Sequence, residues 1–415
     1  MTMERKTPWW RSVGREPWKA LVAAQVGWML DAMDVMLYAF ALTEIQREFA
    51  LSSGAAGGLA SVTLLAGAFG GVGFGILADR FGRAKMLMVS ILLYSVFTGL
   101  TATAHSVAEL LVWRSLVGIG LGGEWTAGSV LVAESWPAEH RGKAIGFMQS
   151  GWAVGYLLAA GLAALVIPRF GWRPLFAIGI VPALFVWWVR RNVPEPELWL
   201  KRAAKIRSVG VAAGAAAIFR RPLAARTWIA TSLAACLLFA YWGLFTWVPT
   251  YLSSPVEHGG AGLGIVKSAG WILPMQIGAF FGYIAFGLLA DRFGRRRVFT
   301  FFVLAAAVIA PVYGLAARNE TALLCLGPAL GFFGHGYFSV FGSLLAELFP
   351  SSVRATAQGF CYNAGRATSA LAPFAIGALA DRYGLGSALA LTSLFYLAAA
   401  ALMILLPRVE KESLA

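Results

Sequence analysis

Two aspartates three residues apart, Asp31 and Asp34, interrupt an apolar run at 20–42. Residues at that spacing share one face of a helix. At about 1.5 Å per residue both fall near the middle of a membrane, where each costs roughly 2.5–3.5 kcal/mol on insertion scales. Desolvation and mutual repulsion make it hard for both to stay charged, which suits a group that takes up and gives back a proton near neutral pH. The plainer alternative is that one of them pairs with a nearby arginine and stays ionised.

Four further residues could do chemistry at that depth. Arg114 lies early in the run 108–133. Glu124 follows Gly122 and Gly123 in the same run. Small residues let a neighbouring helix come close, so Glu124 is expected in a buried seam or a cavity, as a second protonation site or as a carboxylate bonded to a facing helix. Arg366, beside Asn363 and Thr368 in the run 357–380, has no acidic neighbour in sequence. A guanidinium holds a carboxylate through two hydrogen bonds, so its counter-charge is either an anionic substrate or, if it reaches outward, the headgroups. His335, within Gly334-His-Gly336, is a proton relay or a spacer between helices. Gln149, Trp152 and Tyr156 share a helical stripe, and Tyr241 and Gln276 lie in later runs. Together they suit the wall of a small-molecule cavity, or ordinary helix packing.

The elements that must position these residues are membrane helices. Hydrophobic residues make up 59% of the chain and charged ones 13%, against roughly 25% charged in soluble domains. Twelve apolar runs of about spanning length occupy 20–42, 55–78, 86–104, 108–133, 144–167, 172–190, 227–252, 265–289, 298–317, 321–346, 357–380 and 385–406. The N-terminal segment does not read as a cleavable signal peptide, because the run behind it carries two aspartates and no small-residue cleavage site. The net charge of +14 is unevenly placed. With the N-terminus inside, 26 of the 34 Lys and Arg residues fall in cytoplasmic segments and six in outer loops. That is the positive-inside pattern, aided by anionic lipid, and it argues against nucleic acid as the partner. Cys236, Cys325 and Cys361 lie in apolar runs without metal spacing. No phosphate-binding Gly-x-x-x-x-Gly-Lys motif occurs. No metal and no cofactor are expected.

The chain repeats itself. Gly75-Ile-Leu-Ala-Asp79-Arg80-Phe-Gly82-Arg83 returns as Gly287-Leu-Leu-Ala-Asp291-Arg292-Phe-Gly294-Arg295, 212 residues later. Glu134-Ser-Trp-Pro137 through Arg141 returns as Glu347-Leu-Phe-Pro350 through Arg354. The halves therefore share a fold, and a membrane chain built this way is usually a transporter with a central site. The expected architecture is all-α, twelve transmembrane helices in two six-helix bundles related by pseudo-two-fold symmetry. The bundles would be 1–190 and 227–415, joined by a proline-containing basic linker at 191–226 whose stretch 200–219 could lie on the membrane surface. Departures from the repeat point to function: Arg114 aligns with Gly327, Glu124 with Tyr337 and Arg366 with Ala153. Asp79, Arg83, Glu134, Arg141, Asp291, Arg295, Glu347 and Arg354 recur in both halves, which points to gating rather than substrate choice. Asp79 is also suited to a helix N-terminus, where the dipole favours an anion.

The paired Gly-x-Leu-Ala-Asp-Arg-x-Gly-Arg phrases resemble the signature loop of the major facilitator superfamily, and the resemblance covers the whole chain. Gly123-Glu-Trp125, Val132-Ala-Glu-Ser-Trp-Pro137 and Asp31-Ala-Met-Asp34 look most like its sialic-acid and lactate proton symporters. The aromatic-acid proton symporters, which also carry an Asp-x-x-Asp in helix one, are the nearest competitor. Arg114-x-x-x-Gly118-x-Gly120-x-Gly122 resembles the fourth-helix motif of proton symporters, in which the arginine pairs with a helix-one aspartate, here Asp34. That pair is then a proton-operated switch or a static clamp. Val193 through Leu200 resembles the segment after helix six in sugar and organic-acid porters. Gly151-Trp-Ala-Val-Gly155-Tyr156 lacks the Gly-Pro step of the drug antiporters. The reading is a secondary transporter, not an enzyme. It would bring a small organic anion inward with protons, as a monomer in the cell (inner) membrane with both termini cytoplasmic. A non-transporting membrane sensor is the remaining alternative, and the short segment after the last run weighs against it.

Overall fold

The computed structural model describes residues 13–137, 140–197, 199–200, 218–316, 319–350 and 353–406, with side chains omitted at 291, 343, 346 and 354–356. The expected surface helix at 200–219 therefore lies almost wholly outside the described residues.

In hydrocarbon only a helix or a closed barrel satisfies the backbone of an apolar run, and all twelve runs are helical. Spans one to five are single helices: Arg15–Phe49, Ser53–Phe81, Arg83–Thr101, Val107–Ser135 and Arg141–Phe170. Span six is Trp172–Ile178 with Pro182–Asn192, and span seven is Leu223–Phe245 with Val248–Ser253. Spans eight and nine are Gly264–Phe293 and Arg295–Leu315. Span ten is Glu320–Gly336 with Phe338–Glu347, span eleven Arg354–Ser369 with Ala372–Tyr383, and span twelve Leu385–Ala390 with Thr392–Leu405. Among the described residues eleven helices are long and apolar enough to cross a membrane. Span eleven is the exception, because it is split and its first piece carries Asn363 and Arg366. Pro182, Pro249 and Pro373 begin the second pieces of spans six, seven and eleven. A proline has no N–H to give and clashes with the preceding turn, so the helix must restart there.

The repeated phrases are tight turns at one membrane face. Gly82 and Gly294 have φ of 115° and 87°, a region that glycine enters without penalty. This face is called here the phrase face, and the opposite one the far face. The two halves pack alike. A Cβ on Gly118 of span four would lie 2.2 Å from the Thr63 carbonyl oxygen of span two, and one on Gly331 of span ten 1.8 Å from the Met275 oxygen of span eight. Each glycine is what lets its two helices touch. The halves meet along spans two and eleven and along spans five and eight.

Candidate functional site

A cavity lies where the halves meet. Span one contributes Trp28, Asp31 and Tyr38, span two Thr63, span four Arg114 and span five Trp152. The second half contributes Trp242 and Thr246 from span seven and Tyr362 and Arg366 from span eleven. The apolar lining with a few convergent polar groups is that of a small-molecule site.

Asp34 sits just behind this wall. Its Oδ2 is 3.6 Å from Arg114 Nη1, and its Oδ1 accepts from the Thr98 hydroxyl. Both side chains are buried. The Arg114 guanidinium also lies over the rings of Tyr38 and Phe176, 5.1 and 5.9 Å from their centroids, a cation–π placement. Asp34 thus meets the positive charge that the fourth-helix motif led one to expect.

Asp31 and Arg366 face each other from opposite halves. Arg366 is 9% exposed, and a Cβ on Gly67 of span two would lie 3.1 Å from its Nη2. The outward reach to the headgroups is therefore corrected: the guanidinium turns inward across the seam, because span two presents a glycine there. Its nitrogens make no hydrogen bond or ion pair to a described residue. Its charge acts on Asp31 and on Tyr362, without an ion pair within 4.0 Å. Asp31 Oδ2 has no hydrogen-bond partner among the described residues.

Glu124 is fully buried in a seam and does not line the cavity. Gly122 and Gly123 face span two, against Gly67 and Phe74. Two residues on, the helix has turned, and Glu124 points at Gly27 of span one, where a Cβ would lie 2.5 Å from its Oε1. Neither carboxylate oxygen has a hydrogen-bond partner among the described residues. The charge of Asp31 acts on it, and its own charge acts on Tyr94 of span three.

The remaining candidates stand apart from the cavity. His335 Nδ1 pairs with the Gly331 carbonyl at 3.2 Å, within its own helix. Its ring is packed against Tyr241 and Phe245, at 5.2 and 4.2 Å. Tyr156 donates to the Phe245 carbonyl at 3.1 Å and so ties span five to span seven. Gln276 is buried with neither end of its amide partnered among the described residues, Gln149 is half-buried, and Asn363 donates to its own helix at Gly359. Of the aromatic wall, sequence reasoning found Trp152 and missed Trp28, Tyr38, Trp242 and Tyr362. A signal existed for three of these. Trp28 and Tyr38 are a turn away from Asp31 and Asp34, and Tyr362 is a turn before Arg366, so each shares a stripe with a charged residue.

At the phrase face, Arg83 holds Asp79 at 2.5 Å and grips Glu134 with Nε and Nη2, each at 3.2 Å. In the second half Arg295 pairs with Glu347. Arg141 donates to the Trp136 carbonyl at 3.5 Å. The side chains of Asp291 and Arg354 lie outside the described ones. Asp79 does not sit at a helix N-terminus; it lies in the last turn of span two. Glu195 does that work, accepting from the backbone N–H groups of Arg83, Ala84 and Lys85 at 2.6, 3.2 and 3.1 Å. An anion there is favoured by the helix dipole.

The far face has its own seal between the halves. Asp381 of span eleven accepts from the backbone N–H groups of Ser53 and Gly54 at the start of span two, at 2.8 and 2.9 Å. Trp247 donates to the Pro373 carbonyl at 3.0 Å. The stretch Gly377-Ala-Leu-Ala-Asp381-Arg382-Tyr-Gly384 is a third version of the repeated phrase, whose end Arg382-Tyr-Gly384 also matches Arg169-Phe-Gly171 in the first half.

Two broken six-helix bundles around a shared central cavity define a class of membrane carrier. The family model of the Major Facilitator Superfamily matches residues 26–285 and 262–415, and the chain belongs to that transporter family. It is 33% identical over 379 residues to the cis,cis-muconate transport protein of Acinetobacter baylyi, covering 90% of each chain. It is 30% identical over 402 residues to the sialic acid transporter of Escherichia coli, covering 96% of each. Among solved structures, the D-xylose–proton symporter superposes with a TM-score of 0.76 at 19% identity, covering 97% of this chain and all of that one.

Proposed function

We propose that the protein imports a small organic anion together with protons, by alternating access around the cavity between its halves. The observation that carries this reading is Arg366, a buried guanidinium at the cavity with no hydrogen bond or ion pair to a described residue. A buried charge without a partner is costly, and a substrate carboxylate supplies the missing one. Protons then balance the charge of the anion, and the carboxylates of span one are the groups placed to carry them. Asp34, Arg114 and Glu124 complete the proton-coupling set. The pairs Arg83–Glu134 and Arg295–Glu347 serve closure at the phrase face. We assign that face to the cytoplasm, with both termini and the 191–226 linker on the same side, from the skew of basic residues. The membrane is then the cell (inner) membrane, and the working unit a single chain.

A monocarboxylate or sialate is the first substrate class, and the sialic acid relative supports it. The walls of Trp28, Trp152 and Trp242 support a second, a conjugated or aromatic acid, whose flat face stacks on indole. The muconate relative agrees with that.

The test is equilibrium binding of benzoate, sialic acid and cis,cis-muconate to the purified protein. Arg366→Ala is expected to weaken binding of the acid that wild type takes by about 100-fold or more. Arg366→Lys, which keeps the charge and loses the planar fork, should fall between. Wild-type affinity in Arg366→Ala would remove the guanidinium as anchor.

A further inference from the structure

The second half holds a group of buried polar side chains with nothing to bond. Gln276 of span eight and His335 of span ten are fully buried, and Tyr241 of span seven is 4% exposed. Both ends of the Gln276 amide, His335 Nε2 and the Tyr241 hydroxyl have no hydrogen-bond partner among the described residues. The Tyr241 and His335 rings meet edge to face at 5.2 Å, and the Tyr283 ring lies 6.2 Å from His335. Gln276 shares a stripe of span eight with Ala279 and Tyr283, three and seven residues on. Those two pack with Ala153 and Phe338, and Phe338 is 5.0 Å from Tyr241. No Asp, Glu, Lys or Arg among the described residues acts on Tyr241 or His335.

This group adjoins the cavity without lining it. Trp152 and Trp242 stand on the cavity wall, and the Tyr241 ring lies behind them at 6.5 and 5.4 Å. The Trp152 side chain reaches toward the Tyr241 hydroxyl, short of a hydrogen bond.

A buried polar group left without a partner is costly, and folded proteins keep few of them. Here three helices each bring one to the same place. An amide, an imidazole and a phenol both donate and accept, and none carries a fixed charge. A carboxylate belongs on Arg366. What suits the three is a neutral hydroxyl or amide.

We propose that Tyr241, Gln276 and His335 form a second subsite, which holds the uncharged hydroxyl or amide end of the acid and so selects polar-tailed acids over bare ones. This rests on the carboxylate reading above. With its carboxylate on span eleven, the acid runs past Trp152 and Trp242 toward spans seven, eight and ten. Water can serve such polar groups. A tail that reproduces water's hydrogen bonds displaces it without loss, and a bare apolar tail does not. A site built to bond a hydroxyl rejects the analogue that lacks it far more strongly than an apolar pocket rejects an extra one. Of the two substrate classes, the subsite favours the sialate type.

The test is equilibrium binding of three acids to the purified full chain: benzoate, 4-hydroxybenzoate, which adds one hydroxyl opposite the carboxylate, and sialic acid. Wild type should hold at least one of the two polar-tailed acids about tenfold or more tighter than benzoate. Gln276→Met and His335→Leu keep the bulk and lose the hydrogen bonds. Each should weaken that acid by about tenfold and change benzoate by less than about threefold. Tyr241→Phe, which removes one oxygen, gives the same reading if either variant fails to fold. A merely structural role would weaken all the acids together. That outcome overturns the subsite, as does an unchanged affinity for the polar-tailed acid in the variants, which would leave water as the sole occupant. Wild type that holds benzoate as tightly as both polar-tailed acids overturns it too. If Arg366→Ala loses binding while the subsite variants do not discriminate, only the subsite falls. If Arg366→Ala binds normally, or wild type binds none of the three, the carboxylate reading falls and the subsite with it.

Discussion

Span four presses Gly118 against span two and carries Arg114 and Glu124, whereas span ten presses Gly331 against span eight and carries Gly327 and Tyr337 at the matching positions. The backbone contact is the same and the chemistry is not. In the first half the buried polar groups include three carboxylates, Asp31, Asp34 and Glu124, and two arginines, Arg83 and Arg114. In the second they are hydroxyls, an amide and an imidazole, set among aromatic rings: Tyr241, Tyr337, Tyr396, Gln276 and His335. Arg366 is the exception, and it leans across to the first half. A repeated fold needs its glycines twice, but a transport site needs its charges once. The same contrast holds at the phrase face. Glu195, just after span six, caps the N–H groups that start span three. In the second half Arg296, at the start of span nine, instead donates to the Met403 and Leu406 carbonyls that end span twelve, both at 2.6 Å. The joint is equivalent and its polarity is reversed.

Imposing first-half chemistry on the second half should break it. Tyr337→Glu places a carboxylate among the rings of Phe299, Phe338 and Tyr396. It should cost at least about 3 kcal/mol, seen as loss of monodisperse protein or a large drop in melting temperature. Glu124→Gln, which replaces a carboxyl that has no hydrogen-bond partner among the described residues, should cost less than about 1 kcal/mol. Equal losses in the two variants would mean that the halves tolerate charge alike.

The two arginines on the cavity wall should separate stability from binding. Arg114→Ala strands Asp34 and should lower stability by about 3 kcal/mol. Arg366→Ala strands no close partner and should change the melting temperature by the equivalent of no more than about 1 kcal/mol, its loss appearing in ligand binding. The reverse order would make Arg366 the structural arginine.

The seal at the far face should respond more gently. Asp381→Asn weakens an anionic cap worth about 1 kcal/mol. A cysteine at Ser253, beside Thr43 in the same seam, should then label about fivefold faster with an impermeant maleimide. Trp247→Phe removes one neutral hydrogen bond to Pro373 and should raise the same rate by a smaller factor, since part of that bond is recovered by water once the seam opens. Unchanged labelling in Asp381→Asn would mean that the seal rests on apolar packing alone.

Much of this was legible in the sequence. Apolar length found all twelve spans, and the 212-residue repeat found the two halves, because hydrocarbon thickness and glycine contacts leave a chain few options. Pro182, Pro249 and Pro373 stand at three of the breaks, a signal that the apolar runs alone passed over. The breaks at Tyr337 and Leu391 carry no proline. The ionisable residues were also legible, each being expensive where it stands. Their facing was not. One residue of rotation moves a side chain by about 100°, which separates Glu124 in its seam from Arg114 on the cavity wall. Arg366 left two readings for the same reason: its stem reaches either a headgroup or Gly67, and only the neighbouring helix decides.

The break at Ala370–Leu371 separates two duties within span eleven. Its first piece holds Arg366 and Tyr362 and lines the cavity; its second holds Pro373 and Asp381 and meets the far-face seal. A continuous helix would transmit each altered side chain in the one piece as a tilt in the other. With a joint between them, cargo preference can drift through single substitutions without opening a leak. A lineage built on this plan can try new nutrients one residue at a time while its membrane stays tight.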